Sequence, residues 1–134
     1  MEVEMKIIKV LCRDAQIGKI STGMTNTSSS NGIVWDQKGG NITVDGKMYT
    51  FTMNRDKKKN KKFGLNGGHI LTLKLSSHWK DKEQKDYFDY GFQKDKVSVP
   101  DDFPENESLK AKWFIKPSTP EAKAAFDALV QKFN

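Results

Sequence analysis

Eight consecutive residues, Arg55-Asp56-Lys57-Lys58-Lys59-Asn60-Lys61-Lys62, hold six cations and one anion. Ammonium groups at that density attract phosphate. The run lies between two segments that read as β-strands, so it is expected at a hairpin tip, held out by a sheet. Arg55, Lys57, Lys58, Lys59, Lys61 and Lys62 are the candidate phosphate contacts. Gly64, Gly67 and Gly68 follow, but no Gly-Lys-Ser/Thr triplet and no helix come after them. The glycines therefore read as turn formers that let the tip move, and not as a nucleotide-binding P-loop.

Other chemistry-bearing residues do not gather into a known pattern. His69 and His78 are nine positions apart, which puts them on opposite faces of an unbroken strand. Asp81, Glu83, Asp86 and Asp89 alternate with Lys80, Lys82 and Lys85, as on a solvated surface. Cys12 is the lone cysteine, so an internal disulfide and a cysteine-built zinc site are excluded. It falls in an apolar run and reads as a small buried residue. No catalytic residue, metal or cofactor is expected.

The rings are the second lead. Tyr49, Phe51, Phe63, Trp79, Tyr87, Phe88, Tyr90 and Phe92 are interleaved with lysines, and single-stranded nucleic acid is held by cations along its backbone and rings under its bases. Most of these rings must serve a core. Phe88, Tyr90 and Phe92 share one parity and are expected inside. Trp35, Trp79 and Tyr87 are expected to be the available ones.

The chain has 134 residues and a formal charge of +6, from 23 basic and 17 acidic residues. That length fits one domain, 1–134, able to bury a core without disulfides. The charge favours polyanionic partners. Only Arg13 and Arg55 are arginines. Lysine lacks the planar fork that reads base edges, so contacts are expected to be indifferent to sequence. There is no signal peptide and no transmembrane stretch, and a reducing cytoplasm is the expected compartment.

The elements that would position these residues are mostly strands. Residues 5–13 are β-branched and apolar, and 18–22 could continue that strand after a bend. Thr25 to Gly32 has no apolar residue and reads as a loop, whose hydroxyls and amides could face a ligand. Ile33 to Trp35 is a short strand, and Gly39-Gly40 reads as a turn. Asp45-Gly46, between alternating runs, is a hairpin signal. Further strands are expected near 47–53, 69–75, 87–92, 97–100 and 111–115. Thr119 caps and Pro120 opens a C-terminal helix over about 120–133, with apolar residues at helical spacing. The fold class is mainly β, a small antiparallel barrel over 5–116 (OB-like or SH3-like) with one C-terminal helix.

Residues 32–42 and 45–51 resemble the cold-shock pattern of a Gly-x-Val-x-Trp strand, a Lys-Gly turn, an Ile-ended strand, an acidic-Gly hairpin and an aromatic strand. Here these are Gly32-Ile33-Val34-Trp35, Lys38-Gly39, Ile42, Asp45-Gly46 and Tyr49-Thr50-Phe51. The resemblance implies an OB-type five-stranded barrel that binds single-stranded RNA or DNA. The family's stacking aromatics after Lys-Gly are replaced by Gly40 and Asn41, so it carries a fold and no stacking site.

The expected function is therefore non-catalytic binding of nucleic acid, single-stranded and of low sequence specificity. Two alternatives stand beside it: an accessory or inhibitor module of a phage or mobile element that docks on an acidic protein, and a binder of a nucleotide or small phosphorylated ligand, or a compact enzyme acting on one, that uses the glycines, the lysines and one histidine.

Overall fold

The computed structural model describes residues 15–30, 32–94, 99–100, 103, 105 and 109–134. The strand expected over 5–13, with Cys12, lies outside these residues, as do 97 and 98 of the short strand near 97–100 and most of the acidic connection that follows it. Within them the chain forms β1 (Ile17–Ser30), β2 (Ile33–Val44), β3 (Lys47–Asp56), β4 (Ile70–Ser77), β5 (Asp86–Gly91), β6 (Lys112–Ile115) and one helix, α1 (Pro120–Phe133). All six strands make one antiparallel sheet in sequence order.

The β2–β3 hairpin turns at Asp45 and Gly46, both in the left-handed region at φ 49 and φ 79, with Val44 opposite Lys47. Two residues of positive φ match the twist of the flanking strands, which is why Asp-Gly predicts this turn. Two other expectations fail. Gly39-Gly40 is not a turn but lies inside β2, opposite Gly23 and Thr22. A Cβ on Gly40 would overlap the carbonyl of Ser21, so glycine is needed there for close approach of two backbones. Thr25 to Ser30 is not a loop but the second half of β1, paired residue by residue with β2 from Asn26 onward. Nothing in its polar side chains signals a strand, because an edge strand exposed to solvent needs no apolar face.

One sheet face is covered by α1. Thr119 caps the helix, its Oγ1 accepting from the Ala122 N–H at 3.1 Å. Ala122, Ala125, Leu129 and Phe133 are buried against Ile42, Val44, Phe51, Met53, Leu73, Leu75 and Phe88. Alanine at two of the four contact positions lets the helix axis come close to the sheet. The other face carries a second cluster at one end only: Trp35, Phe63, Leu71, Phe92 and Phe103. A bulge makes both faces possible. Register slips so that Asn54 opposes Thr72 while Arg55 opposes Ile70, which leaves Leu71 as the extra residue. Leu71 turns to the second cluster, whereas Ile70 stays with the helix core.

The expected barrel does not close. β1 and β6 are the two edges, and no pairing joins them among the described residues. β6 is four residues long and pairs with β5, and the helix, not a returning strand, covers the core. What stands is a mainly β fold with an open six-stranded antiparallel sheet and one C-terminal helix.

The end of α1 is tied to the sheet. Arg55 Nε donates to the Phe133 carbonyl at 2.7 Å, satisfying one of the last carbonyls of the helix with a cation where the dipole favours one. Asn134 then bridges two elements: its Oδ1 accepts from Ile70 N at 2.9 Å and its Nδ2 donates to Leu65 O at 2.9 Å. Arg55→Ala should lower stability by about 1.5–3 kcal/mol, the usual worth of a hydrogen bond to a charged group. The urea midpoint measures it, and a shift too small to resolve would mean the helix end is held by packing alone.

Candidate nucleic-acid interface

The lysine run is built on two side chains that are not lysines. Asp56, the last residue of β3, is buried, and its N–H donates to His69 O at 2.8 Å. Its carboxylate accepts from Lys58 N at 2.9 Å and from Asn60 Nδ2 at 3.1 Å. Asn60 repeats the device one turn later, its Oδ1 accepting from Lys62 N at 3.1 Å and Phe63 N at 2.8 Å. Aspartate and asparagine fold the chain back in this way because their short side chains mimic a backbone acceptor. Backbone bonds complete the frame: Lys57 N donates to Val34 O, Asn60 N to Gly68 O and Gly64 N to Asn60 O, all within 2.9 Å.

Two apolar anchors hold the base of the loop. Phe63 enters the second cluster, edge-on to Phe103 at 4.7 Å between centroids, and Leu65 enters the helix core. Gly64 has an ordinary φ of −75, but a Cβ on it would run into the carbonyls of Gly68 and Asn60. Gly64 thus allows the close approach of three backbone segments at the base of the loop. His69 Nδ1 lies 2.9 Å from Asp56 O, which makes His69 part of this frame.

Held this way, the backbone points lysines outward. Lys57, Lys58, Lys59, Lys61 and Lys62 are exposed. Together with Gly32, Ile33 and Val34 from the start of β2, they line a pocket of about 540 Å³. The Lys57 ammonium sits 4.0 Å from Asp36 Oδ2, and that of Lys62 lies over the Phe63 ring at 5.5 Å. Asp56 and Asn60 line the same pocket, so five exposed lysines share one concave site with the frame that holds them, and phosphate oxygens can be met there without ordering the loop first.

The remaining expected site residues are placed elsewhere. Arg55 is half-buried and engaged by the end of α1, as described above. Trp35 is not an available ring: it is only 8% exposed and packs at right angles to Phe103, 5.4 Å away. The sheet face that Trp35 occupies carries the second core at this end. Trp79 is 71% exposed, as expected of it. Tyr87 is half-buried, edge-on to Tyr49 at 5.0 Å.

Trp79 and Tyr87 lie at the other end of the sheet from the lysines. The loops before and after β4 leave from its opposite ends, and its eight residues span roughly 25 Å. Trp79 has a cation of its own, Lys80 Nζ at 5.0 Å from its ring, and the His78 ring lies 5.4 Å away. His69 and His78 mark the two ends of β4. Among the described residues no three His, Cys, Asp or Glu side chains converge as metal ligands would, and no helix is long and apolar enough to cross a membrane.

Three groups at that far end and in the core have shifted protonation. Lys47 is held above its ordinary value, first by a hydrogen bond with Tyr87 and then by the phenolic groups of Tyr87 and Tyr49. Burial pushes the Tyr49 and Tyr90 hydroxyls up. All three favour the protonated form in the folded state. Their contribution is complete below the unfolded-chain values near 10 and is lost as pH rises through the folded ones. Thermal melts should therefore show stability falling above about pH 10, with no loss from these groups near neutrality.

An open antiparallel sheet backed by one helix, presenting a lysine-ringed pocket at one end, is the class of protein that fold and site define. No protein-family model, no curated protein and no solved structure matches the chain.

Proposed function

We propose that this protein binds nucleic acid by its phosphate backbone, with the loop from Asp56 to Lys62 as the grip. One observation carries the proposal: five lysines line one pocket on a frame fixed by Asp56 and Asn60. The contacts are Lys57, Lys58, Lys59, Lys61 and Lys62. Among the described residues the one arginine, Arg55, is engaged by the end of α1, so sequence discrimination at this loop is low. Five cations on an open rim suit a run of phosphates better than the one group of a small phosphorylated ligand. The partner is single-stranded RNA or DNA.

The test is an oligonucleotide titration over a range of salt. If each of the five lysines neutralises one phosphate of a single strand, log K falls against log salt with a slope of about −3.5, at about −0.7 per contact. Binding that is absent at low salt, or that ignores salt, would remove the proposal.

A second reading, a module that docks on another protein, has a separate observation in its favour. Trp79 and Met48 are both exposed, at 71% and 44%, on the end of the sheet away from the lysines. Rings exposed to that degree are common anchors of protein interfaces. An interaction lost on Trp79→Ala and untouched by lysine substitutions would favour it.

A further inference from the structure

A second cavity, of about 400 Å³, opens beside the lysine pocket. That size is within the range of about 300–1,000 Å³ typical of small-molecule sites. Asn26, Ser28, Gln37 and Asn54 line it with amides and a hydroxyl, and Trp35 and Phe103 supply rings. Among the described residues, none that lines it carries a charge. This cavity and the lysine pocket are neighbours in register. Trp35 and Asn54 line the first, while Val34 and Asp56 line the second. Trp35 also pairs directly with Asp56 across β2 and β3.

The amides form a row across the sheet. Asn26 opposes Gln37, Gln37 opposes Asn54, and Asn54 opposes Thr72. Opposed residues share a face, so the first three present their amides together. Asn54 is fixed from behind, both its backbone N–H and its Nδ2 donating to Thr72 Oγ1, at 3.1 and 3.0 Å. An amide carries donors and an acceptor at once, which is what the edge of a nucleobase presents in return; Asn26 Oδ1 already accepts from Thr27 N at 3.0 Å, which leaves its NH2 group to donate. Adenine is the base such amides complement with two bonds.

We propose that this cavity receives an unpaired base, with adenine the best fit, from a strand whose phosphates the lysine loop holds. The assignment rests on the phosphate reading above and gives it a specificity that lysines alone do not supply. Gln37 and Asn26 are the accessible reading groups, and Asn54 is the held one. The duplex is excluded as the preferred partner, because a paired base has no free edge to enter a cavity.

Fluorescence anisotropy at fixed low salt tests it with two probes of equal length, an oligoadenylate and a fully abasic strand. The wild-type protein should bind the oligoadenylate about tenfold more tightly, equivalent to about 1.4 kcal/mol. Gln37→Leu should bring the two probes to equal affinity while leaving the abasic strand unchanged. Should that variant fail to fold, Asn26→Ala on the exposed edge strand should reduce the same ratio. Equal wild-type affinities with intact salt dependence would overturn the cavity assignment and leave the phosphate grip standing. Absence of binding to either probe would overturn both.

Discussion

Replacing Lys58, Lys59 and Lys61 together by glutamate should weaken oligonucleotide binding by on the order of a hundredfold or more at low salt, and flatten the salt dependence. All three side chains are exposed and project from a frame made by other residues. Exposed substitutions away from packing usually change stability by about 0.5 kcal/mol or less, so the variant should melt close to the parent. That pairing of outcomes separates a binding role from a merely solubilising tip. Lysines kept only to deter edge pairing would give an unchanged melt and unchanged oligonucleotide affinity. A change to glutamine at the same positions should fall between, since it removes attraction without adding repulsion.

Asp56→Ala should weaken binding although it removes the one acid of the run. Electrostatics alone predicts the reverse, because the substitution raises the net charge by one. The carboxylate holds Lys58 N and Asn60 Nδ2, and Asn60 in turn holds Lys62 and Phe63. Removing it leaves those donors to water and lets the lysines spread. Hydrogen bonds to a charged acceptor are worth about 1.5–3 kcal/mol each and two are lost, so a stability loss of about 3–6 kcal/mol should accompany the loss of affinity. Urea denaturation and anisotropy measure the two together. Tighter binding by the alanine variant would mean that the frame is irrelevant and bulk charge decides.

Much of this architecture is legible in the residues. Asp45-Gly46 specifies its hairpin, Thr119-Pro120 opens the helix, and the alternation of Tyr49, Phe51 and Met53 gives the helix-facing side of β3. The limits are physical. Thr25 to Ser30 becomes a strand through pairing with β2, and pairing partners leave no mark in a polar segment. Strict alternation puts Leu71 on the helix side with Leu73 and Leu75 and Ile70 on the other; the bulge exchanges the two, and no local pattern announces it. Trp35 is buried by Phe103, distant in sequence, a contact that no local pattern around Trp35 announces.

The site divides in the same way. Its charge was visible as composition, and its position as a connection between strands. Its rigidity was not, since it depends on which backbone donors Asp56 and Asn60 reach. Asparagine and aspartate inside a cationic run are nonetheless a usable signal, because both residues favour side-chain-closed turns. Arg55 belonged to the run by sequence and to the helix end by structure. The amide row of Asn26, Gln37 and Asn54 spans three strands and exists only once the register is known.

The most direct measurement is amide chemical-shift mapping during titration with a single-stranded oligonucleotide at low salt. The account predicts perturbations centred on residues 56–62 and on Gly32, Ile33 and Val34, which line the same pocket. Shifts centred on His78, Trp79 and Tyr87 at the opposite end of the sheet, with the lysine loop silent, would contradict it.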